Sequence, residues 1–128
     1  NELKYHCVVD KSLGDIPQIE CIGGQINQVL MNLFINAAHA MEGQNGRLSL
    51  QTQQLENNIL ITVEDNGSGI EAHNLKHIFD PFFTTKPVGE GTGLGMSICY
   101  DIIKKHGGEI KVQSEVGKGT VFNITLPI

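Results

Sequence analysis

Near the start of the chain, Leu3, Tyr5, Cys7 and Val9 alternate with Lys4, His6 and Asp10, the two-residue period of a strand, broken only by Val8. Residues 19–22 form a candidate partner. From residue 25 the period changes: Ile26, Val29, Leu30, Leu33, Phe34, Ala37 and Met41 recur at helical spacing, which predicts a helix over 25–41 stopped by Gly43. Residues 48–52 and 59–63 predict two more strands joined through the polar stretch 53–58, and 71–78 predicts a short helix. Residues 80–93 hold two prolines and three glycines with little apolar periodicity, a long loop of the kind usually kept for function. Leu94, Ile98, Ile102 and Ile103 then mark the buried stripe of a second long helix. Lys104, Lys105 and His106 suit its negative dipole end, and Gly107 and Gly108 can cap it. Two last strands, 109–114 and 120–126, enclose the turn Gly117, Lys118, Gly119.

Strands therefore come mostly in adjacent pairs with helices between the pairs. That order predicts an α+β fold, a mixed, mostly antiparallel sheet covered on one face, rather than a doubly wound parallel sheet. With 128 residues, 40% hydrophobic and 18% charged, the chain has the profile of a single globular domain over residues 1–128. Because it begins inside a strand-like run, it is expected to be a piece of a longer protein. A net charge of -5 opposes a basic groove for nucleic acid. The odd, widely spaced Cys7, Cys21 and Cys99 suggest neither a disulfide framework nor a zinc knuckle, so a reducing, cytoplasmic compartment is expected. No apolar run approaches the roughly 18 residues of a membrane span, and no signal-peptide pattern opens the chain.

Three segments carry chemistry. On a helical wheel Gln25, Gln28, Asn36 and His39 fall within about 40° of Asn32, an uncharged polar stripe. Asparagine is a poor helix former, so two of them four residues apart suggest a task, although an amide-rich solvated face is the plain alternative. Their carbonyl oxygens are hard ligands of the sort Mg²⁺ accepts beside waters and phosphates, and His39 could donate a hydrogen bond to a phosphate. The run Asp65, Asn66, Gly67, Ser68, Gly69 follows a strand. Its carboxylate can accept a hydrogen bond from an exocyclic amine such as that of adenine, with Gly67 and Gly69 letting backbone approach a flat ring, but the same run also reads as a simple turn. Gly89, Gly91, Gly93 and Gly95 alternate with Glu90, Thr92 and Leu94 into a helix start, which makes an anion site of free N–H groups or else a flexible lid. It fits neither the P-loop nor the dinucleotide fingerprint. Between the last two lies Phe79, Asp80, Pro81, Phe82, Phe83, Thr84, Thr85, Lys86. Its three phenylalanines must fold back onto the body or onto a partner, and Lys86 either pairs with a terminal phosphate or is solvated.

In this order the segments closely resemble the ATP-binding catalytic domain of bacterial sensor histidine kinases, within the wider Bergerat-fold (GHKL) ATPases. Residues 28–40 look like the N box, 65–69 the G1 box, 79–86 the F box, 91–95 the G2 box and 117–122 the last glycine box. The resemblance implies a two-layer α/β sandwich of about five strands and about three helices, with ATP between the N-box helix and a lid over 80–93. It implies Mg²⁺ on Asn36 with Asn32 in support and His39 near the phosphates. Asp65 would read the adenine amino group directly and, with Thr120, through water; Gly67, Gly69 and Ile70 would shape the base site. Lys86, Gly89, Gly91, Thr92, Gly93, Leu94 and Gly95 would embrace the triphosphate.

Hydrolytic members of the superfamily carry a glutamate four residues before the metal-binding asparagine; here that place is Asn32, which cannot take a proton from water near neutral pH. Kinase logic follows: γ-phosphate is presented to a nucleophile from outside. The implied nucleophile is a histidine in a separate phosphoacceptor and dimerisation domain, since none of His6, His39, His73, His77 or His106 has the expected setting. A response-regulator receiver domain is the onward partner. The isolated domain is expected to be a monomer and the full-length protein a homodimer. Two alternatives share the fold: a non-catalytic nucleotide sensor, and an anti-sigma-type serine kinase.

Glycine, 15 of 128 residues, exceeds the average usage of about 7%, and the excess has an address in this scheme. Of 15 glycines, Gly67, Gly69, Gly89, Gly91, Gly93, Gly95, Gly117 and Gly119 stand in Gly-x-Gly spacings, so more than half belong to segments assigned to the nucleotide.

Overall fold

The structure, a computed structural model, describes residues 21–43, 45–83 and 95–128 together with the backbone of 7–13. The elements are β1 (Cys7–Leu13), α1 (Gly23–Ala40), β2 (Gly46–Leu55), β3 (Asn58–Asp65), α2 (Ala72–Leu75), α3 (Gly95–Lys105), β4 (Glu109–Glu115) and β5 (Gly119–Pro127). One sheet runs β1-β2-β3-β5-β4, with β1 parallel to β2 and the other pairings antiparallel. This is the two-layer α+β arrangement, mixed and mostly antiparallel, that the order of elements predicts.

The period of each strand decides which side is covered. Ile59, Ile61 and Val63 of β3 are buried, as are Phe122, Ile124 and Leu126 of β5, while the alternate positions Leu60, Thr62, Val121 and Asn123 stay partly open. Thr62 and Asn123 are partners across the ladder on that open face, joined by a 3.0 Å side-chain hydrogen bond. On the covered face α1 contributes Val29, Leu33, Ala37 and Met41, and α3 contributes Cys99, Ile102 and Ile103. Burying a side chain of the size of Leu33 contributes about 1.5–3 kcal/mol, so the stripe of α1 anchors the helix although no side chain caps its N-terminus at Ile22. His106 serves there instead: its Nε2 accepts the Ile22 N–H at 3.0 Å while Nδ1 bonds the Ile102 carbonyl at 2.8 Å. Those two partners require the neutral ring with its hydrogen on Nδ1.

Several boundaries differ from the sequence pattern. The helix expected over 25–41 begins at Gly23, and the short helix expected over 71–78 is a single turn, Ala72–Leu75, followed by turns. Cys21 and Ile22 are not strand, and the rest of the candidate strand 19–22 lies outside the described residues. β1 is described from Cys7 and runs on to Leu13, past the alternating stretch. The polar connection expected over 53–58 shrinks to Glu56 and Asn57, because Gln53, Gln54 and Leu55 pair with Leu60, Ile59 and Asn58 while exposed. Backbone pairing leaves no hydrophobic signature where both faces meet water. In α3 the buried positions are Ser97, Cys99, Ile102 and Ile103, with Ile98 only half-buried, and it is the small Cys99 that meets α1, at Asn32 and Val29.

The end of α3 behaves as expected. Gly107 and Gly108 N–H groups donate to the Lys104 and Ile103 carbonyls at 3.0 and 2.9 Å, the double bond pattern of a glycine-terminated helix, with Gly107 at φ +77°. The two glycines are there for different reasons. A Cβ at Gly107 would meet only Pro127 Cγ at 3.6 Å, whereas at Gly108 it would overlap the Thr125 carbonyl oxygen. Gly107→Ala should therefore cost about 1–2 kcal/mol of left-handed strain. Gly108→Ala should cost more, because β5 has to move; equal melting temperatures for the two variants would contradict this packing.

Candidate functional site

β3 ends in Asp65, and the loop after it is stitched down on three sides. Asn66 ties it to the start of β2: its Oδ1 accepts the Arg47 N–H at 2.8 Å and its Nδ2 donates to the Asn45 carbonyl at 3.2 Å. Ser68 ties it to the end of α1, donating its N–H to the Ala40 carbonyl at 2.9 Å, and its own carbonyl accepts the Gly117 N–H at 2.9 Å. The Ile70 N–H reaches across to Ser114 Oγ at 2.7 Å. These bonds bring together the end of α1, the 65–69 loop and the β4–β5 turn.

The glycines of that loop have a packing duty that sequence reasoning did not assign. A Cβ on Gly67 would sit 2.7 Å from both Cβ and the carbonyl oxygen of Ala40, and one on Gly69, at φ +78°, would overlap the Glu115 carbonyl. Gly119, at φ +128°, would likewise run into the Asp65 carbonyl. These glycines let backbone press on backbone within the protein, which fixes the carboxylate above them.

Asp65 is 8% exposed. Burial pushes its pKa above the usual 3.8, the N–H groups of Gly67 (2.8 Å from Oδ1) and Thr120 pull it down, and the Glu64 charge adds a smaller upward push. Among the described residues no cation enters this balance. A desolvated carboxylate satisfied only by amide N–H groups fits a ligand that brings hydrogen-bond donors. Thr120 is its cross-strand partner and is 4% exposed. Ile70 is half-buried and packs on the core.

On α1, Asn32, Asn36 and His39 are all half-buried. Asn32 has a definite occupation: its Nδ2 donates to the Gly95 carbonyl at 3.3 Å and to Cys99 Sγ at 3.5 Å, joining α1 to the first residue of α3. Burial pushes the Cys99 thiol up, so it remains a neutral S–H that donates to the Val29 carbonyl at 3.8 Å. Asn36 offers an amide oxygen, and the described residues hold no cluster of three or more His, Cys, Asp or Glu. A Mg²⁺ here would thus depend on Asn36 together with waters and phosphate oxygens, a donor set that suits it.

Of the three phenylalanines in the loop, Phe79 and Phe83 fold back. Phe79 lies 5.4 Å from the Tyr100 ring, and Phe83 lies 5.8 Å from the ring of His77, whose Nδ1 is 2.9 Å from Asp80 Oδ2. Phe82 is 72% exposed with φ +67°. Lys86, Gly89, Gly91, Thr92, Gly93 and Leu94 lie outside the described residues. Two residues that sequence reasoning passed over belong to the site's framework: Ser114, which reads as an ordinary strand position, and Cys99, which reads as core. Neither had a local signal, because each acts through a partner distant in sequence.

Residues 23–128 match the family model described as histidine kinase-, DNA gyrase B-, and HSP90-like ATPase. The chain is 42% identical over 113 residues to sensor histidine kinase ZraS of Escherichia coli, covering 88% of this chain and 24% of that protein. It is 44% identical over 117 residues to sporulation kinase E of Bacillus subtilis, covering 91% and 15%. The chain thus spans a quarter or less of these relatives. Among solved structures it resembles the catalytic domain of histidine kinase ThkA, with a TM-score of 0.83, 33% identity and coverage of 97% of this chain and 82% of that one. It also resembles full-length ShkA in complex with AMPPNP, with a TM-score of 0.82, 26% identity and coverage of 94% and 25%. No described helix is long and apolar enough to cross a membrane.

The raised pKa of Asp65 makes a signed prediction. The folded state holds this proton more tightly than the unfolded chain, so Asp65 favours folding below 3.8 and costs stability as pH rises through its higher folded value. Chemical denaturation against pH should show that loss in the native chain and not in Asp65→Asn. If the site takes an amine donor, the same variant should lose about 10- to 150-fold in affinity for adenine nucleotide, the worth of one charge-assisted hydrogen bond.

Proposed function

This chain belongs to the histidine kinase-, DNA gyrase B-, and HSP90-like ATPase family, and from that premise we propose that it is the ATP-binding catalytic domain of a sensor histidine kinase. In this reading it holds ATP with Mg²⁺ and presents the γ-phosphate to a histidine on a separate dimerisation and phosphoacceptor domain. An aspartate of a response-regulator receiver domain then takes the phosphoryl group, and the work is done in the cytoplasm, where both ATP and that partner are found.

The observation that carries this reading is Asn32. It occupies the place of the hydrolytic glutamate, and its amide donates to Gly95 and Cys99 rather than standing free to activate water. A neutral amide committed as a donor cannot serve as general base, so bound ATP lacks an internal route to hydrolysis. The nucleophile must come from outside, and positioning with electrostatic stabilisation is what the domain supplies.

The roles divide by element. Asp65, with Thr120 through water, reads the 6-amino group of adenine, while Gly67, Gly69 and Ile70 give the base site its floor. Asn36 is the side chain that would hold Mg²⁺, which when bound offsets charge on the phosphate oxygens. His39 stands one turn further along α1 as a phosphate donor. Lys86 and the glycine run 89–95 are assigned to the triphosphate from sequence. The solved ShkA complex with AMPPNP supports a nucleotide in this fold. A net charge of -5 is no obstacle, since backbone N–H groups and a cation supply local positive potential.

The test uses the purified chain with labelled ATP and Mg²⁺. It should bind ATP, turn it over barely, and release label to protein only when the helical phosphoacceptor domain of its own full-length protein is added. Rapid turnover by the chain alone would falsify the kinase reading. Tight binding with no transfer to that domain would make it a nucleotide-sensing module instead.

A further inference from the structure

Cys99 lies in the middle of α3, fully buried, and its thiol is engaged from two sides. Sγ is 3.5 Å from Asn32 Nδ2 and 3.8 Å from the Val29 carbonyl oxygen, so both contacts cross to α1. The atoms present fix the direction of each. A carbonyl only accepts and an amide NH₂ only donates, so the one thiol hydrogen goes to Val29 and a sulfur lone pair receives Asn32. Burial pushes the pKa of the thiol up, which keeps that hydrogen in place.

The same Nδ2 is 3.3 Å from the carbonyl oxygen of Gly95, the first residue of α3. One chain of donors and acceptors therefore runs from Gly95 through the Asn32 amide and the Cys99 thiol to Val29. If the thiol is taken away, a part-buried amide hydrogen loses its acceptor, and the amide gains a reason to turn toward water and leave Gly95. The start of α3 then loses its tie to α1. That end of the helix carries N–H groups without a partner inside the helix and the positive end of its dipole. In the ATP-site reading it faces the phosphates. The base-reading end is held separately, because the loop after Asp65 is bonded to the end of α1, the start of β2 and the β4–β5 turn.

We propose that Cys99 is a positioning residue for the phosphate end of the site: by accepting from Asn32 and donating to Val29, it keeps the Asn32 amide on Gly95 and the start of α3 against α1. The inference rests on the ATP-site reading above and adds a buried residue that touches no nucleotide. Loss of the thiol should be felt by a ligand with phosphates and not by one without them.

The experiment compares dissociation constants for ATP with Mg²⁺ and for adenosine across the native chain, Cys99→Val, Cys99→Thr, Asn32→Ala and the Cys99→Val/Asn32→Ala pair. Cys99→Val fills the space without a polar group; it should weaken ATP about 3- to 10-fold and leave adenosine unchanged. Cys99→Thr has the same shape with a hydroxyl in place of one methyl, so it should bind ATP more tightly than Cys99→Val. In the Asn32→Ala background Cys99→Val should cause no further loss of ATP, because the amide it acts through is gone. Equal weakening of ATP and adenosine in Cys99→Val, no change in either, or a full additional loss in the Asn32→Ala background would each overturn the proposal and leave Cys99 as core packing. Should Cys99→Val not fold, Cys99→Ala takes its place with the same expected pattern and the same overturning results. A native chain that binds neither ligand overturns the ATP-site reading, whereas one that binds ATP and keeps its ATP-to-adenosine ratio in Cys99→Val overturns this inference alone.

Discussion

The carboxylate of Asp65 is held largely out of water, satisfied by amide N–H groups, and among the described residues no cation shares its charge. Left to itself such a group would swing outward or keep its proton. It is kept in place because the strand that carries it sits between β2 and β5, and because the following loop is bonded to the end of α1, the start of β2 and the β4–β5 turn. The folded state thus gives up stability at one position to keep a buried acceptor there, which suits the base-reading role proposed for Asp65.

That arrangement explains why glycine recurs around it. Three backbone segments converge on a volume in which Cβ atoms at positions 67, 69 and 119 have no room. Close approach of main chain to main chain lets N–H and carbonyl groups of the loop find partners across elements. The same closeness delivers the N–H groups of Gly67 and Thr120 to the Asp65 carboxylate. Glycine spacing that looks like an adaptation to a ligand is first an adaptation to the protein's own backbone.

A second link runs between the helices. Asn32 reaches from α1 to the carbonyl of Gly95, and Cys99 receives the same amide while donating to Val29. The small side chain of Cys99, with Gly95 one turn before it, lets α3 approach α1 closely enough for these bonds. The start of α3 and the polar stripe of α1 are therefore one mechanical unit. A change in the helix packing would be felt at both ends of the site.

Much of this was legible in the chain itself. Alternation along β3 and β5, the seven-residue apolar stripe of α1 and the Gly107–Gly108 stop predict the elements and which face each one buries, because burial periodicity is written residue by residue. The order and spacing of the polar and glycine motifs pointed to the family, and the family match bears that out. Partners were not legible. Nothing local says that β1 lies parallel to β2, that the exposed end of β2 keeps pairing to Leu55, that Asn32 is bonded to Gly95, or that the Ser114 and Thr120 hydroxyls meet. A hydrogen bond needs a donor and an acceptor at a set distance, and when they are tens of residues apart only the folded backbone decides whether they meet.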